Sequence, residues 1–281
     1  FAMSIITPKR KVLRMSVQSL LAVRTANNVF DRIYLRRDVN QPNNGVIPVI
    51  DFGDASRSFV PLERTVTLSN GLSDLLNASA IYQLLPADQR VALANGGPSV
   101  ATTRTYRTVP LAQRGGGEGD EIFATATLQN GAAVSVNFEQ RSIYAVPLTQ
   151  GADVTVTFGS RLVSPTVTAI NGVAPTRVRI NGTVPADYGD VTSVTVEESS
   201  GPNQQTFVFS AAYRAAAGMG ANYEFTFPDF TAVPGFIPDA NLMRGLVYVN
   251  TFSDGTTGGS RFSLTPGRVY RSVSRMVETT Y

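Results

Sequence analysis

Apolar and polar residues alternate with a period of two along most of the chain. In the run DVTVTF, for example, Val154, Val156 and Phe158 fall on one face. Because successive side chains of a β-strand point to opposite faces, this spacing predicts short, half-buried antiparallel strands. Helical spacing is scarce, and short helices are predicted only within 72–79 and 86–94.

Turn signals separate the alternating runs. Asn-Gly occurs six times, and Asp254-Gly255 is a seventh signal of the same kind. Asn-Gly readily adopts the two positive φ angles of a type I′ turn, which is the tightest β-hairpin connection. The pair at 130–131 lies between alternating runs at 122–128 and 134–138, which predicts a hairpin there.

Strand spacing predicts an all-β fold of two tandem antiparallel β-sandwiches, immunoglobulin-like or fibronectin-III-like, with little helix. The predicted boundary divides an N-terminal block at 1–160 from a C-terminal sandwich at 161–281. Residues 1–54 hold three predicted strands (9–24, 29–38 and 45–52), which either complete the N-terminal block or form a separate or truncated segment. The C-terminal sandwich has seven predicted strands, at 165–170, 175–184, 191–198, 206–214, 222–228, 244–252 and 267–280.

The composition excludes several catalytic classes. The 281 residues include no Cys, His or Trp. This removes Cys nucleophiles, disulfides, thiolate or His-ligated zinc, and the Ser-His-Asp triad. Catalysis would have to depend on carboxylates, Tyr or Lys, so a non-enzymatic role is predicted. Sugars usually stack on exposed aromatic side chains, and the candidates for such stacking are Tyr188, Tyr213 and Tyr223.

Positive charge is concentrated at the start of the chain. The net charge is +3, yet residues 1–40 carry eight basic side chains against two acidic ones. Lys9, Arg10, Lys11 and Arg14 are therefore candidate contacts for an anionic partner such as nucleic acid or anionic lipid. The simpler interpretation is a solvated strand face next to the chain start.

A glycine-rich acidic loop is the one candidate metal site. In GGGEGDE, Glu118, Asp120 and Glu121 could ligate Ca²⁺ through carboxylate and backbone carbonyl oxygens. The alternative is a flexible loop between strands, and no other cofactor is predicted. A phosphate-binding loop is excluded because no GK[ST] follows and no helix is predicted there.

The segment IDFGDASRS carries Asp51 and Asp54 close to Arg57. Asp side chains often accept a hydrogen bond from their own backbone two residues further on. We therefore predict a turn stabilised in this way. A polar cluster at a strand end is the alternative.

Membrane and targeting signals are weak. No apolar stretch approaches the roughly 20 residues that span a bilayer, so no membrane span is predicted. The start FAMSIITPKRKV has no continuous apolar core typical of a signal peptide. For an extracellular or cell-surface protein, the expectation is that a signal peptide has been removed.

Three segments resemble stretches of secreted bacterial cell-envelope proteins built of immunoglobulin-like modules. They read FDRIYLRRDVNQPNNGVIPVIDFG, RTYRTVPLAQRGGGEGDEIFATA and GRVYRSVSRMVE. The resemblance follows diffuse pattern over most of the chain and includes no diagnostic motif. It implies an extracytoplasmic, non-enzymatic role and assigns no catalytic residue.

The leading hypothesis is a structural or adhesion-type protein of the bacterial cell surface or extracellular space. Its predicted partner is itself or another surface protein, bound by addition of a strand to an exposed sheet edge. The alternative is a viral or phage structural protein whose basic N-terminal arm contacts nucleic acid. A third reading is a carboxylate-based glycan-active protein, which requires two acidic side chains facing each other across a cleft.

Overall fold

Strands dominate the fold. The computed structural model describes residues 17–27, 29–40, 49–72, 74–84, 89–128, 137–147, 153–170, 178–189, 191–198, 204–228, 233–235, 244–253 and 269–280. The one α-helix within these ranges is six residues long. No helix in the described ranges is long and apolar enough to cross a membrane. The predicted all-β class with little helix is confirmed.

The N-terminal strands differ from the sequence prediction in two places. The short helices predicted within 72–79 and 86–94 are wrong, because residues 75–79 and 89–94 lie in strands. Leu76, Ala78 and Ala80 alternate into the core, so small residues with good helix propensity are held in a sheet by burial. No strand forms at 49–52 of the third predicted strand, and its residues 45–48 lie outside the described ranges. The strands are β1 (Val17–Ala26), β2 (Val29–Asn40), β3 (Ser58–Phe59), β4 (Leu62–Ser69), β5 (Leu75–Leu84), β6 (Gln89–Ser99), β7 (Thr103–Thr108), β8 (Gly119–Thr127), β9 (Asn137–Pro147) and β10 (Val154–Thr157).

All seven strands predicted in the C-terminal half are confirmed. The largest difference at a strand end is four residues, because the strand predicted at 206–214 stops at Ser210. The Ser210 hydroxyl there accepts a hydrogen bond from the Tyr213 amide at 3.0 Å and caps a short helix. The elements are β11 (Thr166–Ala169), β12 (Val178–Thr183), β13 (Val191–Glu198), β14 (Gln204–Ser210), α1 (Ala211–Ala216), β15 (Asn222–Thr226), β16 (Arg244–Ser253) and β17 (Tyr270–Thr280).

One large sheet runs through both halves of the chain. Its eight strands follow the order β14-β13-β16-β17-β9-β8-β5-β6, and all neighbours are antiparallel. Three smaller sheets have the orders β1-β2-β3, β10-β4-β7 and β11-β12-β15, with β10 and β4 parallel. β8 and β9 are antiparallel neighbours, as the hairpin prediction requires, but Thr127 lies opposite Gln140, whereas a two-residue turn at 130–131 would place it opposite residue 134. The predicted register is therefore not observed, and the Asn130-Gly131 pair itself lies outside the described residues.

Two hydrophobic cores give the two predicted sandwiches. The N-terminal core lies between β5, β8 and β9 of the large sheet and the β10-β4-β7 sheet. The C-terminal core lies between the β13, β14, β16 and β17 end of the large sheet and the β11-β12-β15 sheet. A third, smaller core joins β1, β2 and β3 to the far end of β5 through residues such as Ile33 and Tyr82.

The two sandwiches meet where β9 pairs with β17, a junction that we call the seam. Eight residue pairs join the strands there, from Tyr144 opposite Tyr270 to Asn137 opposite Val277. The last residue of the N-terminal core is Phe158, and the first residue of the C-terminal core is Leu162. The domain boundary at 160 nevertheless stays a prediction, since the large sheet continues across the seam.

Two buried tyrosines lie directly over glycines. Tyr223 is opposite Gly182 on the neighbouring strand, and a Cβ on Gly182 would lie 2.3 Å from the Tyr223 hydroxyl. Tyr188 lies in the same way over Gly159. The pair Asn181-Gly182 is thus not a turn. It lies inside β12, where glycine makes room for an aromatic ring.

Candidate functional site

In the loop predicted to bind Ca²⁺, the Glu118 carboxylate is bound by Arg37. Arg37 donates to both oxygens of Glu118, at 2.9 and 2.5 Å, and the Tyr82 hydroxyl and Gly115 amide each donate at 2.7 Å. Burial raises the pKa of the Glu118 carboxyl, but these bonds outweigh it and leave the pKa below its ordinary value. Glu118 therefore connects the loop by hydrogen bonds to Arg37 of β2 and Tyr82 of β5.

The other two acidic residues do not join Glu118. Asp120 accepts hydrogen bonds from Thr108 and Arg114, while burial raises the pKa of its carboxyl. Glu121 is the next residue of β8 and is also buried. Across the described residues, no group of three acidic side chains is arranged to hold a metal ion. Ca²⁺ binding by Glu118, Asp120 and Glu121 remains a prediction that this geometry does not support.

The basic residues of the predicted arm, Lys9, Arg10, Lys11 and Arg14, lie outside the described residues. The strands that follow them are packed rather than extended from the body. Ile33 is fully buried, in the core that joins the first sheet to the end of β5. The basic start of the chain therefore leads directly into a packed sheet.

Two smaller predictions can be compared with the structure. The turn at Asp51 and Asp54 is confirmed, because their carboxylates accept from the amides of Gly53 at 2.8 Å and Ser56 at 2.9 Å. Among the tyrosines considered for sugar stacking, Tyr188 and Tyr223 are fully buried, and only Tyr213 is exposed, at 46%. Burial of the first two removes them from any stacking surface.

A buried ionic cluster lies at the seam, and sequence reasoning missed it. Its members come from four places: β9, β17, the residue before β5 and the segment after β10. We call it the seam network, and its residues are Asp74, Glu139, Arg141, Arg161 and Arg275.

Arg141 is the centre of the seam network. It is 1% exposed and donates to Asp74 at 2.7 Å and to the carbonyls of Asn70 at 2.8 Å and Gly159 at 2.9 Å. Glu139 lies directly opposite Arg275 across the seam, with an Oε2 to Nη1 distance of 2.8 Å. The network ties β9 to the linker between the sandwiches and to the last strand of the chain.

The seam network is structural in character. Asp74 and Glu139 share two arginine partners, Arg141 and Arg161, and both carboxylates are essentially unexposed. A glycosidase pair has to face solvent and substrate. The sequence did hold one signal, since Glu139, Arg141 and the buried Ile143 alternate onto one face of β9.

The outer edge of β14 is the most distinctive surface feature. The strand reads QQTFVFS and ends the eight-stranded sheet, with β13 paired along one side and no described strand along the other. It contains no charged residue, Pro or Gly, and Val208 is 58% exposed. An edge with these properties leaves backbone donors and acceptors open to another strand.

The opposite edge of the same sheet is protected. Strand β6 contains Arg90, Gly96, Gly97 and Pro98, and its register with β5 is interrupted twice. Proline, glycine, charge and bulges all disfavour edge pairing. Among the edges of the small sheets, β10 has four residues and β7 carries two arginines, whereas the ten-residue β1 carries one charged residue, Arg24.

Aromatic side chains lie beside the β14 edge. Phe207 stacks on Phe225 of β15 with ring centroids 3.8 Å apart, and both are only partly buried. Tyr213 of α1 approaches Phe207 at 6.2 Å. Apolar side chains therefore lie on both faces of β14, with Phe207 on the core side and the exposed Val208 on the outer side. Aromatic residues are enriched at protein interfaces.

Comparison with known proteins gives only a weak structural similarity. No protein-family model and no curated protein matches the chain. One similar solved structure is a two fibronectin type-III domain segment from chicken tenascin, at 10% sequence identity and a TM-score of 0.24. The match covers 99% of this chain and 98% of that chain. The fold assignment therefore depends on the strands, sheets and cores described above.

Proposed function

We propose that this chain is a non-enzymatic structural or adhesion-type protein of the cell surface or extracellular space. It acts by binding or self-assembly through strand addition at β14. The observation that carries the proposal is the contrast between the unprotected β14 edge and the protected β6 edge of one sheet. Proteins normally protect the edge strands of their sheets against pairing with other chains. An unprotected edge therefore favours binding of another strand at that edge.

The described acidic side chains support a non-enzymatic role. The buried carboxylates of Asp74, Glu118, Asp120 and Glu139 are each bound to arginine. A carboxylate that is buried against a guanidinium is shielded from solvent and substrate, which leaves it poorly placed for proton transfer to a bound molecule.

Surface location and association are tested together in the native source. Intact cells are treated with an external protease, and the chain is followed with an antibody before and after lysis. We expect the chain to be cleaved on intact cells and to migrate with a binding partner or with itself after mild cross-linking. A protected, strictly monomeric protein that converts a substrate would overturn the proposal.

The viral or phage alternative makes a different prediction about the N-terminal residues. If Lys9, Arg10, Lys11 and Arg14 contact nucleic acid, affinity should fall with salt at a logarithmic slope of about −3 to −4 for four contacts. We expect only weak binding, because the adjoining β1 and β2 are packed into the body. Filter binding at two salt concentrations, with the four residues replaced by Gln as control, decides between the two functions.

A further inference from the structure

Strand β14 reads nearly the same in both directions around Val208. Phe207 and Phe209 flank it, and Thr206 and Ser210 lie beyond them. When two copies of a strand pair antiparallel about a two-fold axis, residues equally distant from the axis face each other. An axis at Val208 therefore places phenylalanine opposite phenylalanine and hydroxyl opposite hydroxyl.

The two faces of β14 agree with this arrangement. Phe209 is fully buried and Phe207 partly buried on the core side, whereas Thr206 and Val208 are exposed on the other side. Residues directly opposite on paired strands project to the same face. The aromatic pairs would continue the core side of the sheet, and the valine and hydroxyl pairs would continue its outer side.

Charge and length also permit pairing with a second copy. No residue of β14 is charged, so a two-fold arrangement brings no like charges together along the strand. Helix α1 begins at Ala211, which limits the shared ladder to 206–210 of each copy. Aromatic pairs and Thr–Ser pairs are among the cross-strand combinations that stabilise antiparallel sheets.

We propose that two copies of this chain associate through β14 about a two-fold axis at Val208, joining their eight-stranded sheets into one. The proposal rests on the proposed function and names its partner as a second copy. Pairing of β14 with β6 of another copy, which would give open filaments, is disfavoured by Pro98 and the register shifts of β6. The shared ladder is short, so the dissociation constant is expected at about 1–100 μM.

Cysteine cross-linking tests the axis directly, because the native chain has no Cys. The variant Val208→Cys places two thiols opposite each other at the axis, within reach of a disulfide. We expect mild oxidation to convert most of it to a covalent dimer. The control is Val60→Cys, at a valine 63% exposed in a connection between strands. Equal cross-linking of both variants overturns the proposal.

Charge exchange tests the same register without oxidation. Val208→Lys and Val208→Glu should each weaken self-association by at least about tenfold, because like charges then face each other. Mixing the two should restore dimers, which sedimentation velocity measures. Val60→Lys should leave association unchanged. A mixture that stays monomeric overturns the axis at Val208.

The outcomes separate this inference from the broader proposal. If the Val208→Lys variant self-associates as strongly as the native chain, the β14 dimer and strand addition at β14 are both overturned, while the proposed surface location and self-assembly stand. A native chain that stays monomeric at concentrations above about 100 μM overturns the dimer alone, provided that it is still captured at the cell surface by another protein. Loss of surface location overturns the proposed function, whatever the state of β14.

Discussion

The two halves of the eight-stranded sheet are stabilised in different ways. The half formed by β5, β6, β8 and β9 has a core rich in small residues (Ala78, Ala80, Ala124 and Ala126), with buried ion pairs beside it. The half formed by β13, β14, β16 and β17 packs against aromatic residues, including Phe209 and Tyr223. The charged half has a protected edge and the aromatic half an open one. Similar architecture thus depends on charge pairing at one end and on aromatic burial at the other.

The largest effect is expected at the seam. The variant Arg141→Ala removes the buried guanidinium that donates to Asp74 and to the carbonyls of Asn70 and Gly159, and leaves Arg161 as the remaining arginine partner of Asp74. Removing one partner of a buried ion pair usually costs about 3–5 kcal/mol of unfolding free energy. Urea denaturation measures this loss.

The control for this prediction is Arg179→Ala. Arg179 pairs with Glu224, and both side chains are about half exposed, so the expected cost is about 0–1 kcal/mol. Equal losses for the two arginine variants would show that the seam network does not stabilise the charged half.

The next effect concerns aromatic packing in the other half. In the variant Gly182→Ala, the added methyl group would lie 2.3 Å from the Tyr223 hydroxyl and 2.5 Å from its Cζ atom. Overpacking of this kind is expected to cost about 2–3 kcal/mol, measured by thermal unfolding. Gly97→Ala is the matched control, because a Cβ there meets nothing within 4 Å. If Gly182→Ala and Gly97→Ala lose the same unfolding free energy, the close packing of Tyr223 over Gly182 does not contribute to the stability of the aromatic half.

A pH dependence is expected from Glu118 in the charged half. Its pKa is lowered in the folded protein, so its stabilising contribution is present above the unfolded value of about 4.3 and is lost as the pH falls through the folded pKa. The variant Glu118→Gln should lose about 1.5–2 kcal/mol at neutral pH. The difference from the native chain should shrink in acid.

Denaturation at pH 7 and pH 3 measures the Glu118 effect, with Glu63→Gln as control. Glu63 is an exposed partner of Arg107, with 59% of its side chain accessible. A difference between Glu118→Gln and the native chain that does not change with pH would contradict the assignment.

The smallest effect compares two buried tyrosine hydroxyls. The Tyr223 hydroxyl is buried without a hydrogen-bond partner, so Tyr223→Phe should be neutral or stabilise the fold by up to about 1 kcal/mol. The Tyr82 hydroxyl donates to Glu118 at 2.7 Å, so Tyr82→Phe should destabilise by about 1 kcal/mol. Calorimetry measures the unfolding free energy of both variants. If both variants lose stability, the two hydroxyls do not differ in the way that their hydrogen bonding predicts.

Alternation predicted most strands, but apart from the neighbours β8 and β9 it did not predict which strands pair. The run around Val194 and the run around Phe207 and Phe209 both appear as strands because burial on one face has a period of two. The seam network had only a local signal at Glu139 and Arg141. Its hydrogen bonds between Arg141 and Asp74 and between Arg275 and Glu139 join residues 67 and 136 positions apart. Contacts at such separations depend on strand order, which alternation does not encode.

The sequence by itself determined the all-β class, the Asx turn at Asp51 and the exclusion of His- and Cys-based chemistry. These depend on local geometry and on which side chains are present. Only the tertiary structure decided that the two sandwiches share one sheet and that Glu118 and Asp120 face arginines. It also decided which of the two outer strands, β6 or β14, is open. Each of these depends on non-local strand pairing, in which backbone hydrogen bonds are satisfied by distant parts of the chain.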